Sequence, residues 1–241
     1  SGRIADIAVV HSNTDIIYIG SATGGLWKSV NMGITWNPIF DKQPVSSIGA
    51  VSVFQKNPSI VWVGTGEGNP RNSVGVGNGA FKSMDGGKTW EFIGLKNTEK
   101  IHRIILHPDN PDIAYAGALG TTWGENPERG VYKTTDGGNT WKKILYVDEK
   151  TGCADLVMDP SNPNKLFAAM WEHRRWPWFF KSGGPGSGLY VTYDGGEHWK
   201  KISSEQGIPE GDYGRIGIAV ARNNPQVVYA LIEAEKNCLC R

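Results

Sequence analysis

Long apolar runs are absent from this sequence. No stretch approaches the roughly 18 residues that a membrane-spanning helix needs, so no helical span is expected. No export leader is legible either, because the opening "SGRIADIAVV" already reads as a strand. An excess of one charge is also lacking. The 25 Lys and Arg against 24 Asp and Glu leave a net +1, too little to draw the chain to a phosphate backbone, and nucleic acid is excluded as a partner. Cysteine is scarce: Cys153, Cys238 and Cys240 form no CxxC pair, and no metal centre is expected. In "NCLCR" the last two share one face of a strand. The plainer reading is two small apolar side chains near a frayed end, and the alternative is a disulfide or metal role. His102 and His173 have no metal or nucleophile spacing around them, no elbow motif supports Ser-His-Asp chemistry, and no cofactor is implied.

What is plentiful is the material of short strands and tight turns, with Gly 32, Pro 13 and Trp 10. One phrase recurs four times: "SVNMGITW" at 29–36, "SMDGGKTW" at 83–90, "TTDGGNTW" at 134–141 and "TYDGGEHW" at 192–199. Its tryptophans, Trp36, Trp90, Trp141 and Trp199, stand 54, 51 and 58 residues apart. A second marker keeps step: "NTDIIYIG", "NPSIVWVG", "NPDIAYAG", "NPNKLFAA" and "NPQVVYAL", each an Asn-led turn followed by β-branched and aromatic residues. No helical periodicity interrupts them. Four-stranded antiparallel units at a period of roughly 50 residues predict an all-β propeller, with blades near 1–42, 43–97, 98–148, 149–206 and an incomplete 207–241. A fifth unit that stops before its box is read as part of a longer protein. Within each box the acidic residue is expected to accept backbone N–H groups, the glycines to take positive φ, and the Trp to plug the space between blades. Asn31, Asp85, Asp136 and Asp194 are therefore assigned to architecture.

These boxes resemble the Asp-box (BNR) repeat family, and the chain as a whole resembles bacterial sortilin-like proteins that also carry a glycosyl hydrolase label. The resemblance covers almost all of the chain. It implies the propeller, but spans hydrolases as well as binding proteins. Two departures bear on chemistry. The xyloglucan-cleaving members carry a catalytic Asp two residues before a Gly-Gly of the first blade, where this sequence has Ala22 in "SATGGLWKS". Sialidases hold a carboxylate with three arginines, whereas Arg3, Arg103 and Arg215 differ in strand parity.

The connection between second and third strands is minimal in the first blade, "GSATGG" at 20–25, and expands to 64–79, 117–130 and 170–188 in the next three. Long loops on one face of a rigid scaffold are where binding concentrates. The last of them packs "WEHRRWPWFF", aromatics for stacking interleaved with arginines that fork onto carboxylates or carbonyls. Trp123, Trp171, Arg174, Arg175, Trp176 and Trp178 are the expected ligand contacts, with Glu67 and Arg71 as polar neighbours. No catalytic residue is assigned. Of the loop carboxylates, Glu67, Glu125, Glu128 and Glu172, a glycosidase would need two facing each other across a cleft. The expected function is a secreted, periplasmic or cell-surface module that binds glycan or peptide. The alternatives are a glycoside hydrolase with part of its site outside this chain, and a structural scaffold.

Overall fold

A computed structural model describes residues 3–241. Four of the five Asn-led turns close through the Asn side chain, whose Oδ1 accepts the backbone N–H two residues on, at Asp15, Ser59, Asp112 and Asn164. The carbonyls of those same four residues accept an N–H from the fourth box position below them: Met32, Gly86, Gly137 and Gly195. The two sequence markers are thus one device, which explains why they keep step.

The strands they organise form five sheets, each in chain order. The first holds β1 (Ile4–Val9), β2 (Ile17–Ser21), β3 (Gly25–Ser29) and β4 (Asn37–Pro38). The second holds β5 (Ile48–Val53), β6 (Val61–Thr65), β7 (Ala80–Ser83) and β8 (Glu91–Phe92). The third holds β9 (Ile101–Leu106), β10 (Ala114–Ala118), β11 (Gly130–Thr134) and β12 (Lys142–Leu145). In the fourth, β13 (Thr151–Asp159), β14 (Asn162–Arg175), β16 (Gly188–Thr192) and β17 (Lys200–Lys201) follow the same order, and β15 (Phe180–Ser182) pairs with β14 off the main path. The last has three strands, β18 (Ile216–Val220), β19 (Val228–Ile232) and β20 (Cys238–Cys240). This is the antiparallel β-propeller that the repeats predict.

The chain divides into two compact units, residues 1–116 with 134–142, and residues 117–133 with 143–241. In the first unit, Val10, Tyr18, Leu26, Phe40, Val51, Val63 and Phe81 form one buried cluster between the first and second sheets. In the second, Ala169, Leu189, Tyr213, Ile216, Ala230 and Ile232 do the same between the fourth and fifth. Neighbouring sheets are also latched by polar contacts. Lys28 and Lys82 in the first unit donate to the box carbonyls of Gly86 and Gly137, and Lys133 in the second donates to that of Gly195. The indole N–H of Trp90 donates to Ile39 O at 2.8 Å and that of Trp141 to Ile93 O at 2.7 Å, so these box tryptophans plug and bond the preceding sheet. Asp6 and Asp155 sit at β-bulges of β1 and β13. Each accepts the N–H of its own next residue and one from the following sheet, Val51 at 2.9 Å and Ile218 at 2.8 Å.

The box carboxylates accept hydrogen bonds from their own turns. Asp85 accepts Thr89 N–H and Oγ–H at 2.9 and 2.6 Å, and Asp136 does the same from Thr140. Bonds from the Thr140 hydroxyl and backbone hold Asp136 at about 2 against an ordinary 3.8, and the equivalent bonds from Thr89 and His198 depress Asp85 and Asp194. A depressed carboxylate stabilises the fold above its unfolded value, and that stability is lost as pH falls through the folded one. Melting temperature should therefore fall between about pH 4 and pH 2. The first box shows how to remove the titration without the turn, because Asn31 accepts Thr35 N–H at 2.9 Å with a neutral side chain. Asp85→Asn, Asp136→Asn and Asp194→Asn together should flatten that acid limb; an unchanged slope would assign it to other groups.

The fourth box position has positive φ in every copy: 72° at Gly86, 75° at Gly137, 68° at Gly195 and 57° at Met32. Only Met32 carries a Cβ there, which costs about 1–2 kcal/mol in the left-handed region. Met32→Gly should stabilise by about 0.5–1 kcal/mol after the entropy of the new glycine is subtracted. The denaturant midpoint reads this directly, and a downward shift would refute it.

One expectation needs correction here. Cys238 and Cys240 are not two separate apolar side chains but a disulfide spanning Leu239. Strand geometry puts both on one face with Cα atoms 5.5 Å apart, within disulfide reach. Cys153 is a buried thiol outside any disulfide, and it donates to Asp155 O at 3.3 Å.

Candidate functional site

The segment read as a long loop at 170–188 is a hairpin. β14 runs on to Arg175 and β15 returns beside it, pairing His173 with Ser182, Arg174 with Lys181 and Arg175 with Phe180. Trp176 and Phe179 close the tip with reciprocal backbone bonds, leaving Pro177 and Trp178 as the turn. Proline suits the first central position because its φ is preset. Tertiary contacts hold the base: Arg175 N–H donates to Thr122 O at 2.8 Å, and His173 N–H to Lys150 O at 3.2 Å.

The hairpin sorts its aromatics by depth. Trp171 is 2% exposed, packed on Leu119 and Ala154, stacked on His173 at 4.5 Å and bonded through its indole N–H to Ser182 Oγ. It is therefore a core residue, and its expected contact with ligand is corrected: both ring faces are spent, since the Arg215 guanidinium also lies 5.3 Å from its centroid. Trp178, by contrast, is 83% exposed at the tip with Phe179 beside it. Trp176 is half-buried, 6.0 Å from Phe179, with the Arg174 guanidinium 4.7 Å from its ring centroid. Arg175 lies over Phe180, and Trp123 is exposed on the 117–130 segment.

Below the tip lies a cleft of about 190 Å³, lined by Glu125, Lys150, Glu172, Arg174, Trp176 and Lys181 among others. Arg174 and Trp176 are thus brought together on it. Arg175, Trp123 and Trp178 belong to the same unit but do not line it. Glu67 and Arg71 are in the other unit. For Glu67 alone the expected role of polar ligand neighbour is corrected, by its burial. Glu67 is fully buried and gripped by Arg3 through Nε and Nη2 at 2.6–2.9 Å, whereas Arg71 is exposed.

Every loop carboxylate has a partner. Glu128 accepts the Tyr132 hydroxyl at 2.7 Å, and burial together with this carboxylate pushes the phenol well above its ordinary range. Glu125 pairs with Lys150 at 3.8 Å. Glu172 pairs with Lys181 at 2.6 Å and accepts Gly186 N–H. Glu125 and Glu172 share the cleft. Among the described residues no cluster of His, Cys, Asp and Glu has the makings of a metal site. The three strand arginines are engaged locally, Arg3 on Glu67, Arg103 on His102 O and Arg215 over Trp171.

Arg129 is what the sequence does not reveal. It is fully buried, and its guanidinium donates to the carbonyls of Thr121, Gly124 and Lys150 and faces His173 Nδ1 at 3.1 Å. One side chain thus ties the three segments that build the cleft. In "NPERG" it reads as an ordinary solvated loop charge, and no local signal marks it.

Comparison with known proteins is consistent with this architecture. Residues 78–210 match the Sortilin-Vps10 model, described as sortilin, neurotensin receptor 3. A xyloglucanase of Paenibacillus sp. is 25% identical over 228 residues, covering 84% of this chain and 21% of that protein. A xyloglucanase of Hypocrea jecorina is 26% identical over 234 residues, covering 86% and 26%. This chain therefore spans about a quarter of the length of these curated relatives. The GH74 enzyme of Niastella koreensis superimposes with a TM-score of 0.69 at 23% identity, over 95% of this chain and 34% of that one. The GH74 xyloglucanase of Xanthomonas campestris gives 0.64 at 17% identity, over 94% and 34%. At these identities the likeness speaks for the fold. No helix among the described residues is long and apolar enough to cross a membrane.

Proposed function

The chain belongs to the Sortilin-Vps10 family, and on that premise we propose that it is a glycan-binding part of a larger propeller, with its contact surface at the β14–β15 hairpin. The observation that carries this reading is the tip itself. Trp178 stands 83% exposed beside Phe179, directly above a cleft that offers charged groups. A large aromatic face held on a paired ribbon is costly to leave in water and costs little entropy to use. The xyloglucanase relatives support a polysaccharide as the class of ligand. Further blades of a longer protein complete the ring, and the module works outside the cytoplasm, where polysaccharide is met.

Trp178→Ala should weaken binding of a xyloglucan oligosaccharide about 30-fold, the equivalent of ~2 kcal/mol for an aromatic anchor. Its melting temperature should not move, because the ring packs on little. Trp171→Ala should do the reverse, lowering thermal stability first. Titration calorimetry on both variants separates the two roles, and unchanged affinity in Trp178→Ala removes the proposal.

Hydrolysis is the second reading, favoured by one observation: Glu125 and Glu172 line the same cleft. Against it, each is already neutralised by a lysine, and Ala22 stands where the xyloglucan-cleaving members place their first-blade carboxylate. Loss of polysaccharide turnover in Glu172→Gln, with binding retained, would favour it over simple binding.

A further inference from the structure

The charges of the cleft do not cancel. Glu125 is matched by Lys150 and Glu172 by Lys181, which leaves Arg174. Its backbone is paired with Lys181 and its guanidinium lies against Trp176, but among the described residues no carboxylate or carbonyl accepts from it. Its Nε is sheltered from solvent and has no hydrogen-bond partner. A sheltered charged donor without an acceptor is costly, and a guanidinium edge offers two parallel N–H groups that suit a carboxylate. Water is a poor substitute where the Trp176 ring shields one side. The other lysines cannot serve, because their ammonium groups are held by glutamates.

From this geometry we propose that the hairpin cleft selects an acidic sugar, a pyranose ring bearing a carboxylate, with the carboxylate forked by Arg174. The inference rests on the glycan-binding reading above and narrows it. At about 190 Å³ the cleft is smaller than the roughly 300 Å³ at which ligand pockets begin, so it takes a single ring. The neighbouring ring of the same glycan lies on Trp178. The paired glutamates add selectivity: a second anion beside Glu125 or Glu172 would meet repulsion, so one carboxylate per bound ring is favoured.

The test compares an oligogalacturonide with its carboxyl-reduced, neutral counterpart by titration calorimetry. The acidic form should bind at least about tenfold more tightly at low salt, and the advantage should shrink as sodium chloride is raised. Arg174→Gln should erase the difference between the two forms. Arg174→Lys, which keeps the charge and loses the fork, should restore only part of it. Because the two ligands are compared on the unaltered protein, a variant that fails to fold does not block the answer. Equal affinity for both overturns acid selection and leaves glycan binding intact. Binding of neither overturns both. Tighter binding of an acidic peptide than of any sugar overturns the assignment to carbohydrate.

Discussion

Arg129→Met should cost about 3–5 kcal/mol of stability and abolish ligand binding at the hairpin in the same step. The guanidinium is fully buried and supplies donors to three backbone carbonyls, at Thr121, Gly124 and Lys150, and to His173. Methionine fills a similar volume but leaves those carbonyls without donors inside the protein, and each unsatisfied group costs about 1–3 kcal/mol. For a chain of this size the loss corresponds to a drop in melting temperature on the order of 10 °C. Function is coupled to it because Gly124, Lys150 and His173 are cleft residues as well as the ends of these bonds. Arg129→Lys should rescue little, since one ammonium cannot reach carbonyls on three segments. Scanning calorimetry and ligand titration check the two halves separately. An unchanged melting temperature would mean that the segments hold together without the arginine.

Gly49→Ala should also damage the fold while touching no functional group. A Cβ at this position would lie 2.2 Å from the carbonyl oxygen of Ile101 and 2.3 Å from that of Gly66. Both are backbone atoms, so no side-chain rotation relieves the clash, and sheets must shift. Overpacking of this kind costs about 1–3 kcal/mol, occasionally more. The position falls at the bulge between Ile48 and Ala50, where the second sheet approaches the start of β9. Gly217→Ala is the matched control. Nothing lies within 4 Å of its added Cβ, and stability should change by less than about 0.5 kcal/mol. Comparable losses in both variants would show that generic strand effects, not the close approach at Gly49, set the cost.

Some of the polar framework was legible in retrospect. "ADI" at 5–7 and "ADL" at 154–156 mark the two bulge aspartates, and "WKS", "FKS" and "YKT" mark the three latch lysines, with Val191 taking the lysine's place in "YVT". These are short-range phrases whose partners lie in the next repeat, so the pattern is visible while its meaning is not. The fate of Trp171 and Trp178 was not legible at all. They sit seven residues apart in one aromatic-rich phrase, and one is core while the other is the most exposed large apolar side chain of the hairpin.

By itself the sequence determined the repeat: the Asn-led turn, the box and the four-strand plan. Each of these is satisfied within a few residues or one repeat length, by turn chemistry and alternation that any local stretch displays. Tertiary structure alone decided the site. It paired Glu67 with Arg3, buried Arg129 under three carbonyls, turned a presumed loop into a ribbon and matched each cleft glutamate to a lysine, leaving Arg174 over. Charge pairing and burial depend on which distant segments meet, and composition along one strand cannot say which charge will be left without a partner.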